Sequence, residues 1–403
     1  MDCALICNRD VPEICQREVA ELIGKDVEIL DGGLCLLHDA TLDDIATLSF
    51  YCQSAYKVVA GLFTLEHGMS PITSVDPESL GEVLTARAPS KQGDDESDLV
   101  SEAKTFSCRV SKLIASDIPS TDFEAVIGGW FDDRCKAHSM PLSVDLDNPE
   151  LLLHAIITAR HLIVGVDVIG FDLSKRPYKL LPYPSSLNGV MAYTIARLTG
   201  VTRDSVVLDP FCGSGTIPIE IALFQNGISP FSLDNSFSGF SLPLFRDAFE
   251  RARDDTRENT ITVKDKITGY DNQFKVMSQS KKHAKIAHVK DAVTISKVDI
   301  DWVDMKFDAD SVDIIVTNPP KENRKTNNRK EIQKLYDDFC YQIRHILKPS
   351  GKAGVLLVRP ELLSEAAKPH NLSVDNMITV HSGEQEYQLV LLSKKSDKPA
   401  EWD

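Results

Sequence analysis

Val206-Val207-Leu208-Asp209-Pro210-Phe211-Cys212-Gly213-Ser214-Gly215-Thr216 is a short apolar strand pattern that runs straight into a glycine turn and then into the helical stretch Ile217–Phe224. Gly213 and Gly215 permit a tight turn and a close approach of backbone to a ligand. In a doubly wound sheet such a turn falls at the carboxyl edge, where these folds bind cofactors. The turn lacks the GxGxxG spacing of a dinucleotide site and the GxxxxGK[ST] spacing of a phosphate loop. Downstream, Lys266–Tyr270, Val293–Val298, Val312–Thr317 and Ala353–Val358 are further candidate strands. With Val206-Val207-Leu208 they make five, alternating with helical patterns, and that alternation is the signature of a parallel, doubly wound sheet.

Three further strand ends carry polar groups suited to a ligand. Ile267-Thr268-Gly269-Tyr270-Asp271 places Asp271 at the end of the second strand, where an acid accepts hydrogen bonds from ribose hydroxyls. The third strand ends Val298-Asp299-Ile300-Asp301, which sets an acceptor, Asp299, beside an apolar residue, Ile300. The fourth delivers Asn318-Pro319-Pro320-Lys321. There the Asn318 side-chain oxygen and the Pro319 carbonyl are two acceptors for the hydrogens of an amine, and the prolines hold that carbonyl rigidly.

Upstream, residues 3–63 read as strand Cys3–Cys7, helix Pro12–Ile23, a hairpin of Val27–Leu30 and Leu34–His38 through Asp31-Gly32-Gly33, helix Thr41–Ser49 and strand Tyr56–Phe63. That βαββαβ order is the order of a ferredoxin-like unit. Residues 64–104 hold Gly, Pro, Ser and the acidic run Asp94-Asp95-Glu96-Ser97-Asp98, the composition of a solvated connector. A strand at Thr105–Val110, a helix over about 120–134 and strands near Ser143–Leu146, Leu151–Ile156 and Leu162–Val168 follow.

The 403 residues and 42% hydrophobic content suit two or three packed domains. No run of about 18 uncharged apolar residues is present, and the start lacks the basic region of a signal peptide, so the expectation is a chain without a membrane span, working in the cytoplasm. Nine cysteines lie scattered without a CxxC pair, which predicts small buried hydrophobes and no metal site. The net charge of -16 argues against non-specific binding to a polyanion. The acid is concentrated at the front: 15 Lys and Arg face 30 Asp and Glu in residues 1–180, against 29 and 30 beyond. Lys321, Arg324, Lys325, Arg329 and Lys330 form a basic loop after the Asn-Pro-Pro turn, and Lys281, Lys282, Lys285 and Lys290 form a second cluster. Local fields of this kind, rather than net charge, steer a polyanion.

On these residues the chain resembles a known family. Asp209–Thr216, DPFCGSGT, resembles motif I of methyltransferases acting on exocyclic amines, and Asn318–Lys321 is similar to their NPPY motif. Motif I precedes the second motif by 109 positions, whereas the DNA methyltransferases with a similar motif I usually carry the permuted order. Thr105–Arg109, Val144–Glu150 and Gly170–Tyr178 look like the successive landmarks of a THUMP domain and its exit into a methyltransferase. Phe240–Glu258 looks like the insertion of THUMP-bearing guanine-N2 methyltransferases, including archaeal enzymes acting at tRNA position 6; a second archaeal group, acting at position 10, generally has DPPY and lacks it.

The resemblance implies an α/β chain: a ferredoxin-like domain at 1–65, a connector at 66–104, a THUMP domain at 105–172, a linker at 173–187 and a Rossmann-like class I methyltransferase domain at 188–403. It implies S-adenosyl-L-methionine as cofactor, held by Asp209, Pro210, Cys212, Gly213, Ser214, Gly215, Thr216, Asp271, Asp299, Ile300 and Asn318. It implies Asn318, Pro319, Pro320 and Lys321 as the catalytic turn. Structured RNA, a tRNA rather than DNA, would meet Arg109, Lys175, Arg176, Arg324, Lys325, Arg329 and Lys330. The expected reaction is methyl transfer to the N2 amine of a guanosine in tRNA, at position 6. Two alternatives stay open: another RNA site, in ribosomal RNA or at tRNA position 10, and a binding protein that has lost turnover. One departure bears on the second: where the family has an aromatic that stacks on the flipped base, this chain has Lys321, which offers no equivalent π-face.

Overall fold

The computed structural model describes residues 1–66, 77–87, 103–114, 117–140, 142–181, 183, 186–232, 236–257, 261–321 and 329–395. The acidic run 94–98, Arg324 and Lys325 lie outside the described residues. The chain divides into two compact units, residues 1–173 with 231–258 and residues 174–230 with 259–403.

The first unit opens with β1 (Asp2–Cys7), α1 (Glu13–Ile23), β2 (Glu28–Leu30), β3 (Leu34–Leu37), α2 (Leu42–Tyr51) and β4 (Ala55–Glu66). The start of α2 is fixed by a capping box: the Thr41 hydroxyl accepts from the Asp44 N–H at 3.1 Å, while Asp44 accepts from the Thr41 N–H at 2.8 Å. Next come α3 (Pro77–Arg87), β5 (Thr105–Lys112), α4 (Ser120–Ala137), β6 (Ser143–Val144), β7 (Leu151–Ile157) and β8 (His161–Asp167). The strands form one eight-stranded sheet in the order β2-β3-β1-β4-β8-β7-β5-β6. Because β4 pairs antiparallel with β8, stretches that the sequence presents as successive modules share one continuous sheet.

Two sequence expectations need correction here. The stretch 66–104 is not solvated connector throughout: α3 buries Leu80 and Leu84, one turn apart, against α4. The inserted segment around Phe240–Glu258 leaves the second unit and completes the first. Its helix α7 (Pro243–Arg257) buries Phe245, Ala248, Phe249 and Ala252 at helical spacing and packs on α2. Phe237 lies 4.7 Å from Phe50, 5.3 Å from Phe171 and 5.8 Å from Phe249, ring centre to ring centre. Truncating Phe50, Phe237 or Phe249, all fully buried, should cost about 3–5 kcal/mol.

The second unit contains α5 (Gly189–Thr199), β9 (Val207–Asp209), α6 (Thr216–Asn226), β10 (Ile267–Asp271), α8 (Phe274–Ile286), β11 (Val293–Lys297), β12 (Val312–Thr317), α9 (Arg329–Ile346), β13 (Leu347–Leu357) and α10 (Glu361–Ala367). A hairpin of β14 (Leu372–Ser382) and β15 (Gln385–Lys394) ends it. The sheet order is β11-β10-β9-β12-β13-β15-β14, with the first five strands parallel and β15 antiparallel to both neighbours. The five expected parallel strands are all present. The closing hairpin was not read from the sequence, because a register shift between Val374 and Asn376 interrupts its alternation. Strand order reverses between β9 and β12, the position at which an open α/β sheet leaves a crevice for a ligand.

Candidate active site

A cavity of about 640 Å³ opens at that crevice, within the size range of small-molecule and cofactor sites. Asp209, Pro210, Cys212, Gly213, Ser214, Thr216, Asp271, Asp299, Ile300 and the whole turn Asn318-Pro319-Pro320-Lys321 line it. Of the residues expected at the cofactor, Gly215 alone is set back from the wall; it is the left-handed residue, φ 82°, that starts α6. The wall also includes Tyr183, Ser186, Leu187, Phe211, Ile217, Asn272, Gln273, Val298 and Leu335, which sequence reasoning did not single out. Tyr183, Ser186 and Leu187 come from the stretch read as a mere linker.

The glycine turn is held by its own backbone and by two other elements. The Cys212 N–H donates to the Tyr270 carbonyl at 2.7 Å, and the Gly213 N–H donates to Asp271 Oδ2 at 3.2 Å. Asp271 Oδ1 accepts from the Gln273 N–H at 2.8 Å, so this carboxylate couples the turn to the end of β10. From α8, the Ser280 hydroxyl donates to the Gly213 carbonyl. His283 contacts the Ser214 carbonyl through Nδ1 at 3.0 Å while its Nε2 accepts from the Leu181 N–H at 3.3 Å, which makes Nδ1 the protonated nitrogen. Burial holds the imidazole below its ordinary pKa, in keeping with that neutral form. Gly213 has φ 52°, and a Cβ there would lie 3.3 Å from the Tyr183 ring.

Two buried acceptors in this wall lack a protein partner. Asp209 Oδ1 accepts from the Thr317 hydroxyl at 2.6 Å and the Phe211 N–H at 3.1 Å, but Oδ2 has no hydrogen bond. Burial pushes its carboxyl up to about 7, against the hydrogen bonds from Thr317 and Phe211. Asn318 Oδ1 is likewise buried without a partner. Unpaired buried acceptors of this kind cost about 1–3 kcal/mol each, and a ligand that brings N–H groups recovers it. The residues present therefore fit a cofactor and an amine.

Lys321 is exposed, and its ammonium donates to the Tyr387 hydroxyl at 3.0 Å. Tyr387 stands on β15, and the signal that would have found it lay in the unread hairpin. The Tyr336 hydroxyl of α9 donates to the Pro320 carbonyl at 3.3 Å and so braces the turn.

One residue expected to meet RNA does not face solvent. Arg176 is buried and forks onto Glu220, with Nε to Oε1 at 2.9 Å and Nη2 to Oε2 at 3.0 Å, while the Tyr178 hydroxyl donates to Oε1 at 2.7 Å. It pins the chain entering this unit to α6 rather than a phosphate. Lys175, Arg329 and Lys330 are exposed in the second unit, as is Arg109 in the first, where it donates to the Leu146 carbonyl at 3.3 Å. Lys281, Lys282, Lys285 and Lys290 are exposed as well.

Residues 176–388 match the family described as UPF0020, RMKL-like, methyltransferase domain. The chain belongs to this methyltransferase family. It is 30% identical over 297 residues to the tRNA (guanine(6)-N2)-methyltransferase of Methanocaldococcus jannaschii, covering 72% of this chain and 76% of that protein. The protein of the same name from Archaeoglobus fulgidus is 25% identical over 273 residues, 67% of this chain and 65% of that one. Among solved structures, SMU.472 in complex with SAH superposes with a TM-score of 0.75 at 18% identity over 98% of this chain and 99% of that one, a likeness of fold. The chain is an S-adenosylmethionine-dependent methyltransferase, and its Rossmann-like second unit carries the cavity. Among the described residues no helix is long and apolar enough to cross a membrane.

Proposed function

We propose that this methyltransferase modifies the exocyclic N2 amine of a guanosine in tRNA, in the acceptor-stem region and at position 6, and that it works in the cytoplasm. The observation that carries the reading is the unpartnered Asn318 Oδ1 at the head of an Asn-Pro-Pro turn, in the wall of the same cavity as the glycine turn. When bound, S-adenosylmethionine supplies an electrophilic methyl group on a sulfonium. Asp271, Asp299 and Ile300 would hold its nucleoside, and Asp209, Gly213 and Ser214 its amino-acid end.

The chain's own part is positioning and polar stabilisation. A guanine amine shares its lone pair with the ring, so it is a poor nucleophile until its hydrogens are drawn away. Asn318 Oδ1 and the Pro319 carbonyl would accept those two hydrogens, and the turn would present the nitrogen in line with the methyl group. Pro320, braced by Tyr336, keeps the carbonyl in place. Lys321 would meet the phosphate or the edge of the displaced nucleotide instead of stacking on it.

The first unit is read as the RNA-binding half, with a ferredoxin-like portion followed by a THUMP domain in which Arg109 contacts the RNA. The relatives named for guanine 6 of tRNA favour that nucleotide over ribosomal RNA or tRNA position 10. The test is methylation of unmodified tRNA transcripts by the full chain with labelled cofactor, followed by nucleoside analysis and mapping of the modified position. N2-methylguanosine at position 6 is expected; the label in another nucleoside, or none with cofactor bound, would overturn the reading.

A further inference from the structure

The nine cysteines do not stay scattered in space. Cys7 of β1, Cys15 of α1 and Cys35 of β3 bring their sulfurs together so that all three lie within 4.8 Å of one another, and each residue is at least 95% buried. Cys7 Sγ and Cys35 Sγ are 3.8 Å apart. Among the described residues this is the one place where three such ligand atoms converge. Cys52 lies beside them, its thiol donating to Glu18 Oε2 at 3.2 Å.

Small hydrophobes would fill this core equally well, but the geometry asks for more. Zinc binds thiolates at about 2.3 Å in a tetrahedron, whose edge is then about 3.8 Å. The Cys7 to Cys35 separation has that length, and Cys15 caps the pair from a third element. A disulfide would use two of the sulfurs and leave the third without a role. We propose that Cys7, Cys15 and Cys35 form a structural site for a single thiophilic d10 cation, Zn2+, in the core of the first unit.

Three thiolates and one Zn2+ carry one net negative charge, and a neutral fourth ligand adds none to a buried site. The Gly33 carbonyl, 2.9 Å from Cys7 Sγ, and the Pro12 carbonyl, 3.7 Å from Cys35 Sγ, lie beside the sulfurs. Cys52 keeps its proton, held on the Glu18 carboxylate. Binding breaks three S–H bonds, forms three Zn–S bonds and releases three protons to solvent, with no change of oxidation state. The site joins β1, α1 and β3, three of the first four elements of the chain, and its role would be to hold that fold rather than to catalyse.

The full chain, expressed with zinc and purified under reducing conditions, should carry about one equivalent of zinc by elemental mass spectrometry. Grown with cobalt instead, it should show a thiolate-to-metal charge-transfer band. Cys15→Ser should abolish both signals, whereas Cys340→Ser, a buried cysteine of the second unit, should keep them. If Cys15→Ser fails to fold, the wild-type cobalt spectrum decides alone. A reduced, folded chain with neither zinc nor a cobalt band would overturn the proposal, as would intact mass two hydrogens short, the mark of a disulfide.

Discussion

The ammonium of Lys321 sits 3.0 Å from the hydroxyl oxygen of Tyr387 and 4.5 Å from the centre of its ring. The residue that replaces the family's usual aromatic is thus itself docked on an aromatic, supplied by β15 of the closing hairpin. A cation held over a ring face in partly solvated surroundings gains about 0.5–1 kcal/mol.

In the proposed function Lys321 is a positioned cation for the RNA, so Tyr387→Leu should raise the KM for tRNA by about 2–5-fold with little effect on cofactor affinity. Tyr387→Phe, which keeps the ring, should recover most of the loss. Lys321→Tyr should keep or raise turnover, since it restores the stacking face. Steady-state kinetics with tRNA varied would show it; identical KM values for Tyr387→Leu and wild type would remove the Tyr387 contact from the account.

In the proposed reaction Asn318→Ala deletes an acceptor needed only while the amine reacts. Turnover should fall by about 10²-fold or more, while cofactor affinity measured by calorimetry stays within a few-fold. A KM effect without a turnover effect would assign Asn318 to substrate binding instead.

Gly213→Leu puts a side chain at φ 52° into the Tyr183 ring, and Asp271→Ala removes one of the two ties between the turn and β10 together with an acceptor from the cavity. Each should weaken cofactor binding by tenfold or more, about 1.4 kcal/mol. Unchanged calorimetric affinity in both would place the cofactor elsewhere.

Asp209 gives the protein a pH signature. Its carboxyl is raised to about 7 in the folded chain, against about 3.9 when unfolded. The folded state therefore holds a proton that the unfolded state has released. The stabilisation is fully present below about pH 4 and is lost as pH rises through about 7. Without cofactor, denaturant midpoints should fall between those limits, and Asp209→Asn should flatten that part of the profile. A wild-type slope retained in the variant would assign it to another group.

Arg176→Met removes from the buried Glu220 carboxylate both hydrogen bonds of the guanidinium fork. Loss of one partner of a buried pair costs about 3–5 kcal/mol, so the melting temperature should drop by several degrees. The salt dependence of tRNA binding should not change, which separates this role from a phosphate contact.

Much of this was legible from the chain alone. Five parallel strands announced themselves because buried strands read as continuous apolar runs between helices, and Gly213, Asp271, Asp299 and Asn318 stood at their carboxyl ends, where the physics of the fold puts a ligand. What failed had local causes. Arg176 and Lys175 are neighbours of like charge, and only the packing of Glu220 on α6 decides which is buried. Tyr183 and Ser186 sit among prolines and serines that carry no periodicity. Leu80 and Leu84 make an apolar face too short to rise above its polar flanks. The cysteines of β1, α1 and β3 have no sequence spacing because a sheet and a helix, not a loop, gather them.

The excursion of residues 231–258 also dictates an order of manufacture. The chain passes between the two units at 173–174, 230–231 and 258–259, so Phe237 and Phe249 leave the ribosome only after the glycine turn has been made. Until then Phe50 and Phe171 lack their partners, and the amino-terminal half must wait, incomplete, for a helix encoded within the other. Cutting the gene at the first crossing would therefore yield two defective pieces: one with an unfilled aromatic core, the other trailing an amphipathic helix with nothing to cover its apolar face.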